Sequence, residues 1–524
     1  MPDALPIQAA AQAPAPAPQP PKPTQQKLLG LDVVRLKGLQ DVSLDFNHSP
    51  LTAIMGSNCS GKTTVLHALA CAHKPLIPPG GPDYQFPLFF RPNTDALWKE
   101  SDFTIRYSQR VGVDVFPNLK QRYTKATDRW TPRYYLRPTR YTRFVSIGES
   151  VPDIETLNLK SMIHYTKAEN NDNIGNLVRD VGGQVLNKTY ESLYKVTYTY
   201  RGKLSIGVKT PTFTYSGLSM SSGEQRVFRI LDAVFRAPNY GLLLVDEIDL
   251  FLHQDALQRL LNKLHEHCAE KHKQLIFTTH FPPVAKMYDK MCIYTLNRVP
   301  LKTVIWRGYS YEAMRHITGK QERPISCYVE DDVAEQIVAR VACELSIRKF
   351  VQFGHYGPAV NAFSLSAGLY LSTEKTEHTV AVLDGDVYRS RSDRRDRVKA
   401  VMTGDQPVHE KNRKALMSLV RTLAPMRNAA GKLFSPEQVL HQMLHGLDAA
   451  TIPADRVELH NIALSVVNVP ERHGFVNQII EHTGESREVS LSKIVELAAR
   501  SNQWQKYTRL VRRWLEKMKT KLDL

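Results

Sequence analysis

Gly56-Ser57-Asn58-Cys59-Ser60-Gly61-Lys62-Thr63 decides how the rest of this chain is read. The stretch fits the pattern G-x-x-x-x-G-K-[ST] of a phosphate-binding loop. The apolar run 51–55 before it reads as a buried strand, and 64–71 after it reads as a helix. Strand, loop and helix are the context the pattern requires. Glycines let backbone N–H groups curl around a phosphate with no Cβ in the way. The helix N-terminus adds a partial positive charge. On this reading Gly56, Asn58, Ser60, Gly61, Lys62, Thr63 and Thr64 surround the phosphates of a nucleotide. Lys62 reaches the outer phosphates and the Thr63 hydroxyl holds Mg²⁺. The rival reading is a Gly/Ser loop that fits by chance.

Further along, Leu218-Ser219-Met220-Ser221-Ser222-Gly223-Glu224-Gln225 leads into an apolar-periodic helix over 226–236. Its small residues present a second helix N-terminus to an anion. The run 242–245 reads as a buried strand that ends in Asp246 and Glu247. Acids at the C-terminal end of a buried parallel strand point into a ligand crevice. Asp246 is then the expected Mg²⁺ ligand, and Glu247 the group that polarises an attacking water. A further strand over 274–279 closes on His280.

Together these residues resemble an ABC-type ATPase: the phosphate loop, the signature Ser221, Ser222, Gly223, Glu224 and Gln225, the pair Asp246-Glu247, and His280 occur in that family's order. The resemblance covers about residues 28–300. It implies ATP and Mg²⁺ as ligands and a head-to-tail dimer with nucleotide sandwiched between copies. The signature of one copy then faces the γ-phosphate held by the other. His280 becomes the residue that senses that phosphate. Gln85 and Gln109 are the candidates for the family's glutamine loop, and Asp249 for its dimer-facing loop.

Around this framework, residues 1–26 are Ala, Pro and Gln with little to bury, and read as a disordered tail. Strands are expected over 28–35, 42–46, 103–109 and 141–147, with a turn at Gly38. The Pro- and Gly-rich stretch 75–87 reads as a loop. A helix is expected over 174–193 and a hairpin over 194–210. No heptad repeat is sustained, which excludes a long coiled-coil arm.

After about residue 320 the pattern restarts, with strands expected over 325–329, 349–353 and 379–383 and a helix over 333–345. Glu330 ends one strand; Asp384 and Asp386 end another. Residues i and i+2 on extended chain share a side, so Asp384 and Asp386 can share a cation that Glu330 completes. Such oxygen-ligand sites run phosphodiester cleavage. This arrangement resembles a Toprim domain, expected over 321–410, with Glu335 a further possible ligand. The rival reading is a turn at 384–386 and a helix-start acid cluster at 330–332. Five arginines between 389 and 397 either grip a nucleic-acid backbone or form a solvated basic loop. Residues 411–524 read as a helical region, with helices over 411–423, 436–447, 491–500 and 504–522.

The fold class is therefore α/β: an ABC-type P-loop ATPase head, a smaller α/β Toprim-like domain, and a helical C-terminal region. Lys and Arg exceed Asp and Glu by 69 − 52 = 17, which favours a polyanionic partner such as nucleic acid. Six scattered cysteines form no C-x-x-C pair, which fits reduced thiols in a cytoplasm. No apolar run is long enough to span a bilayer, and no signal peptide is expected.

An ABC-type head followed by a Toprim-like domain resembles the OLD family of nucleases. It is similar to the PtuA-type ATPase subunits of Septu and retron anti-phage defence systems. That resemblance implies a separate HNH-type nuclease as effector, and in retrons a reverse transcriptase with its msDNA. The alternatives are an ATP-gated DNA endonuclease using its own carboxylates, and a DNA-repair ATPase.

Overall fold

The computed structural model describes residues 23–76, 81–94, 98–157, 162–170, 172–199, 202–287, 289–299, 302–372, 376–427, 431–467, 469–471 and 473–524. Two compact units divide it, Met1–Lys320 and Gln321–Leu524. Most of the expected tail lies outside the described residues, but Gln25 and Gln26 already belong to the first strand. They pair with Gln109 and Arg110, so ladder bonds extend order past the apolar pattern.

The first unit opens with β1 (Gln25–Leu36), β2 (Leu39–Asp45), β3 (Leu51–Gly56) and helix α1 (Lys62–Cys71). A short turn of helix, α2 (Phe86–Phe89), precedes β4 (Ser101–Val111), β5 (Asp114–Lys125) and β6 (Thr142–Val145). Next come α3 (Asp153–Leu157), β7 (Tyr165–Glu169), α4 (Asn173–Leu186), β8 (Ser192–Tyr198), β9 (Leu204–Lys209) and β10 (Thr214–Ser216). Helix α5 (Ser222–Arg236), β11 (Leu242–Val245), α6 (Gln254–Glu270) and β12 (Gln274–Thr279) follow. β13 (Cys292–Val299), β14 (Lys302–Arg307) and α7 (Tyr311–Thr318) complete the unit.

Its central sheet has the order β14-β13-β3-β12-β11-β6. Every neighbour pair is parallel except the β13–β14 hairpin. Period two splits each strand between two apolar layers. Leu51, Ala53 and Met55 face Phe228 and Leu231 of α5 and Leu260 and Leu264 of α6. Ile54 faces the other layer, with Val65, Leu66 and Leu69 of α1. Each fully buried side chain of this kind contributes about 1.5–3 kcal/mol, which is why these strands are apolar on both faces. Two antiparallel sheets flank them, β2-β1-β4-β5 and β10-β9-β8-β7. Between α1 and α5 the longest helix among the described residues is α4, 14 residues, as the missing heptad repeat predicts.

Helix α4 is shorter than expected. It stops at Leu186 because Asn187 turns left-handed (φ 54), and Leu193 belongs to β8. Strand β6 likewise stops at Val145.

The second unit contains β15 (Ile325–Val329), α8 (Asp332–Glu344), β16 (Val351–His355), α9 (Asn361–Leu371) and β17 (Thr379–Leu383). Then follow α10 (Arg391–Val401), α11 (Pro407–Leu419) and β18 (Val420–Thr422). Helices α12 (Pro436–His445), α13 (Val457–Ser465), α14 (Gly474–Thr483), α15 (Arg487–Ala498) and α16 (Trp504–Leu522) end the chain. Its sheet is parallel throughout, in the order β16-β15-β17-β18.

Three expectations change here. The strand read at 349–353 shifts to Val351–His355, because a 3₁₀ turn occupies Arg348–Phe350. The basic stretch 389–397 is helical from Arg391 onward: Ser390 caps it and Asp393 bonds back to the Ser390 N–H, a reciprocal cap. The helix read over 411–423 ends at Leu419, where β18 pairs with β17, so the sheet takes a strand from the region read as mostly helical. Among the described residues no helix is long and apolar enough to cross a membrane.

Asp153 ties the first unit's β8–β9 hairpin to α5. It is fully buried and accepts from Arg229 and Lys203 (both 2.9 Å), Tyr198 (3.1 Å) and Ser205. Burial pushes its carboxyl up, but Ser205, Lys203 and Arg229 outweigh that and hold it below the ordinary value. Asp153→Ala should lower stability by about 1–3 kcal/mol, because it leaves the buried Tyr198 hydroxyl and the half-buried Lys203 and Arg229 short of an acceptor; the denaturant midpoint reports it. Since the folded carboxyl is depressed, this stabilisation is present above about pH 4 and is lost as pH falls through the folded value. A pH series of melts should show the wild-type advantage shrinking only at the acid end.

Candidate functional site

Strands β3, β12 and β11 are neighbours and parallel, so their C-terminal ends share one edge of the sheet. That edge carries the phosphate loop after β3, Asp246 and Glu247 after β11, and His280 after β12. Asn58, Ser60, Lys62, Glu247, His280 and Arg298 line one cavity of about 240 Å³ there. Gly61, Thr63 and Thr64 line it too.

The loop shape is forced at its start. Gly56 has φ 149, and a Cβ there would lie 2.3 Å from the Leu296 carbonyl and 2.6 Å from Ser60 Oγ. Lys62 bends back over its own loop, donating to the carbonyls of Gly56 (3.0 Å) and Ser57 (2.9 Å). Burial pushes its ammonium down, and Glu247, Asp246 and Asp249 partly offset this. Ser60 Oγ is buried with no hydrogen-bond partner. An orphaned hydroxyl beside a lysine and a helix N-terminus fits a phosphate oxygen. Thr63 donates to Asp246 Oδ1 at 3.1 Å. A hydroxyl and a carboxylate this close suit Mg²⁺ beside phosphates.

Glu247 is left-handed (φ 48), a conformation uncommon outside glycine. Two residues not singled out by the sequence hold it. Thr278 accepts from the Glu247 N–H at 2.7 Å and donates to Asp246 Oδ1 at 2.6 Å. Arg226 donates to the carbonyls of Asp246 (2.6 Å) and Glu247 (3.2 Å). Burial pushes the Arg226 guanidinium down to about 10, with Asp246 pulling the other way. His280 Nε2 stands 3.7 Å from Glu247 Oε1. A hydroxyl in an apolar strand two residues before His280 was a usable signal for Thr278. Arg298 reaches the cavity from β13 and carried no local signal.

The signature segment does not line this cavity. Ser221 is exposed and caps α5, its Oγ accepting from the Glu224 N–H at 3.3 Å. Ser222 and Gly223 are half-buried. Glu224 and Gln225, read as nucleotide contacts, turn inward instead. Tyr215 (2.8 Å) and Tyr190 donate to Glu224, and Gln225 donates to the carbonyls of Gly217 (2.6 Å) and Met220 (3.0 Å). Residues 224–228 are all buried, so this turn of α5 is enclosed on every side. Gln85 and Gln109 do not line the cavity either; Gln85 Nε2 instead donates to Asp83 at 3.2 Å. Asp249 Oδ1 is buried without a partner.

In the second unit, β15 and β17 are adjacent and parallel, with Tyr328 opposite Ala381. Glu330 and Asp384 therefore leave the same sheet edge. The extended-chain relation of Asp384 to Asp386 does not hold, because Gly385 between them has φ 90 and bends the chain. The carboxyls still act on each other. Burial, then Glu330, Asp331 and Asp386, push Asp384 up to about 9. Burial and Asp386 push Glu330 up to about 7. Asp384 Oδ1 is buried without a hydrogen-bond partner, which suits a cation. Yet among the described residues no group of three or more His, Cys, Asp or Glu is gathered tightly enough to hold a metal ion. Glu335 is engaged with His355 at 2.8 Å.

Residues 209–284 match the family model described as AAA domain, putative AbiEii toxin, Type IV TA system. That stretch includes the signature, Asp246, Glu247, Thr278 and His280. No curated protein matches the chain in sequence. The SMC head domain from Thermotoga maritima is 15% identical, with 54% of this chain and 100% of that chain covered, at a TM-score of 0.33. An Smc head domain derived from Pyrococcus furiosus, bound to the C-terminal domain of ScpA, is 14% identical over 56% and 98%, at 0.32. A dimeric ATP-binding cassette bound to ADP and Pi after hydrolysis is 13% identical over 55% and 100%, at 0.27. Likenesses this slight carry no reading of function. The loop geometry and the family match over 209–284 support a phosphate-binding P-loop core in the first unit.

Thr278→Val keeps the side-chain shape and removes one donor and one acceptor. It should lower stability by about 1–3 kcal/mol by leaving the Glu247 N–H and Asp246 Oδ1 short of partners. Chemical denaturation measures this, and an unchanged midpoint would contradict the holding role given to Thr278.

Proposed function

We propose that this chain is an ATP-binding and ATP-hydrolysing switch. It acts as a head-to-tail dimer within a bacterial anti-phage defence complex that engages nucleic acid and a nuclease effector. One observation carries the reading: Lys62, Glu247 and His280 converge on a single cavity, while Ser221 and the N-terminus of α5 do not line it. A helix N-terminus leaves backbone N–H groups that seek an anion. A second copy's γ-phosphate supplies one in a head-to-tail sandwich.

In that dimer Lys62 binds the outer phosphates and the N–H groups of 57–62 orient them. Glu247 takes hydrogen bonding from the attacking water and draws off its proton. His280, 3.7 Å from Glu247, reports whether the γ-phosphate is present. Thr63 and Asp246 would hold Mg²⁺, which supplies charge neutralisation at the β- and γ-phosphates. Arg226 carries strain between α5 and the Glu247 turn, so closure on a partner copy bears directly on the water-orienting carboxylate.

The words toxin and TA system in the matched family description support a place in defence. The effector fits a separate HNH-type nuclease, and a reverse transcriptase with msDNA is a further partner class. A net charge of +17 supports the nucleic-acid partner. A second reading, an intrinsic metal-dependent nuclease using Glu330, Asp384 and Asp386, is favoured by the orphaned Asp384 oxygen.

Lys62→Ala should weaken ATP binding about 10- to 100-fold, the worth of a charge-assisted hydrogen bond. Glu247→Gln should cut turnover about 10²–10⁴-fold and trap an ATP-bound dimer. Titration with a fluorescent ATP analogue, phosphate release and light scattering read the three quantities. A Glu247→Gln protein that turns over normally and stays monomeric with ATP would overturn the switch.

The carboxylate edge has its own test. Asp384 and Glu330 are raised, so their protonated forms favour the fold. That contribution falls as pH rises from about 4 through about 7 and about 9. A divalent cation replaces those protons, so the gain in melting temperature from Mn²⁺ should grow from pH 6 to pH 9. Asp384→Asn should abolish the gain. Plasmid cleavage by the purified chain with Mn²⁺, lost in Asp384→Asn, would favour the intrinsic nuclease; an inert chain favours the partner nuclease.

A further inference from the structure

The second unit contains a cavity of about 310 Å³ lined by four cations: Arg391 and Arg394 from α10, Lys414 from α11 and Arg421 from β18. No carboxylate is among its lining residues. The basic character is not a solvated helix face, because two of the four side chains are drawn inward. Arg421 is half-buried, and the one side-chain hydrogen bond it makes among the described residues runs to the Val420 carbonyl at 2.9 Å. Burial pushes its guanidinium down, and Arg394 pushes the same way; no acidic neighbour opposes them. Arg394 is lowered by burial and by Arg391, with Asp393 pulling back. It is fixed in place by donating to the carbonyls of Tyr388 (3.0 Å) and Arg389 (2.9 Å). Lys414 has a carboxylate, Glu410 at 2.9 Å, but both are well exposed and such a pair is weak.

Like charges held together around a hollow are unfavourable unless something supplies the opposite charge. Guanidinium forks match the oxygens of a phosphate, two at a time. The position narrows the source of that phosphate. Thr422, next to Arg421, pairs with Leu383, the residue before Asp384. The cationic hollow therefore sits on the strand beside the one that carries the acidic edge. A chain of phosphodiesters passing the carboxylates would bring a neighbouring phosphate to the arginines. A lone phosphorylated side chain has no use for that second feature.

We propose that Arg391, Arg394, Lys414 and Arg421 form a phosphate site that holds the backbone of a nucleic-acid strand passing the Asp384 edge. This rests on the nucleic-acid part of the reading above and assigns it to one surface. Arg421 and Arg394 fix the position of a phosphate; Arg391 and Lys414, nearer solvent, add attraction. Such contacts set register and carry no base sequence.

The test uses the full chain and fluorescence anisotropy with a single-stranded oligonucleotide across a salt series. Arg421→Gln should weaken binding about tenfold and reduce the slope of log K against log salt by about one. Arg391→Gln, at an exposed position where folding is not at stake, should reduce the slope in the same direction. Lys399→Gln, exposed farther along α10, should bind within about twofold of wild type. Inorganic phosphate should compete with the oligonucleotide in the wild type and lose that effect in Arg421→Gln. Wild-type slopes in both arginine variants, or an equal loss in Lys399→Gln, would overturn the site while leaving nucleic-acid binding intact. A wild type that binds a phosphopeptide and no oligonucleotide would overturn the site and the nucleic-acid reading together.

Discussion

One carboxylate oxygen, Asp246 Oδ1, accepts from Thr63 at 3.1 Å and from Thr278 at 2.6 Å. Through it the phosphate-loop helix, β11 and β12 meet at one buried point. Asp246 is only 2% exposed, so water cannot substitute for either donor. A buried carboxylate must be satisfied by fixed groups. Here the fixed groups are Thr63 of the phosphate-loop helix and Thr278, whose hydroxyl also accepts from the Glu247 N–H. The nucleotide cavity, the left-handed turn at Glu247 and the placing of His280 all depend on this junction. Arg226 extends it to α5, so the helix that begins at the signature and the turn that carries Glu247 are mechanically joined.

Charge is handled in more than one way. In the first unit two buried charges find opposite partners, Asp153 with Lys203 and Arg229, and Arg137 with Asp83 at 2.6 Å, while the buried Arg140 and Lys273 are held by carbonyl and amide groups instead. In the second, like charges gather. Glu330, Asp331 and Asp386 add to burial in raising Asp384, and Arg391, Arg394 and Arg421 crowd a hollow. Paired buried charge makes a rigid scaffold, since breaking a pair leaves a bare ion. Crowded like charge marks places that gain by binding something.

Several elements are plain in the residues alone. The apolar strands before the phosphate loop, before Asp246 and before His280 are short, unbroken and bounded, and α16 runs over the residues its amphipathic period predicts. Others are not. Strand β5 is mostly exposed on both faces, so no hydrophobic alternation announces it; its partner β4 creates it. β18 is three residues at the end of a helical pattern and exists because β17 offers an open ladder. α10 depends on one reciprocal cap at Ser390 that its arginine-rich composition obscures.

The sequence by itself determined the order of the nucleotide-binding parts, because each is a local conformation: glycines for a tight loop, small residues at a helix start, acids after an apolar strand. Only the tertiary structure decided which side chains serve them. The side chains of Glu224 and Gln225 turn into the core, where Tyr215 and the carbonyls of Gly217 and Met220 hold them. Thr278, Arg226 and Arg298 join the site from elsewhere in the chain, and the arginine hollow draws on α10, α11 and β18. Contacts between distant residues follow from how sheets and helices stack. Local pattern fixes the pieces, and the shared demand to bury apolar surface and satisfy every polar group fixes which pieces meet.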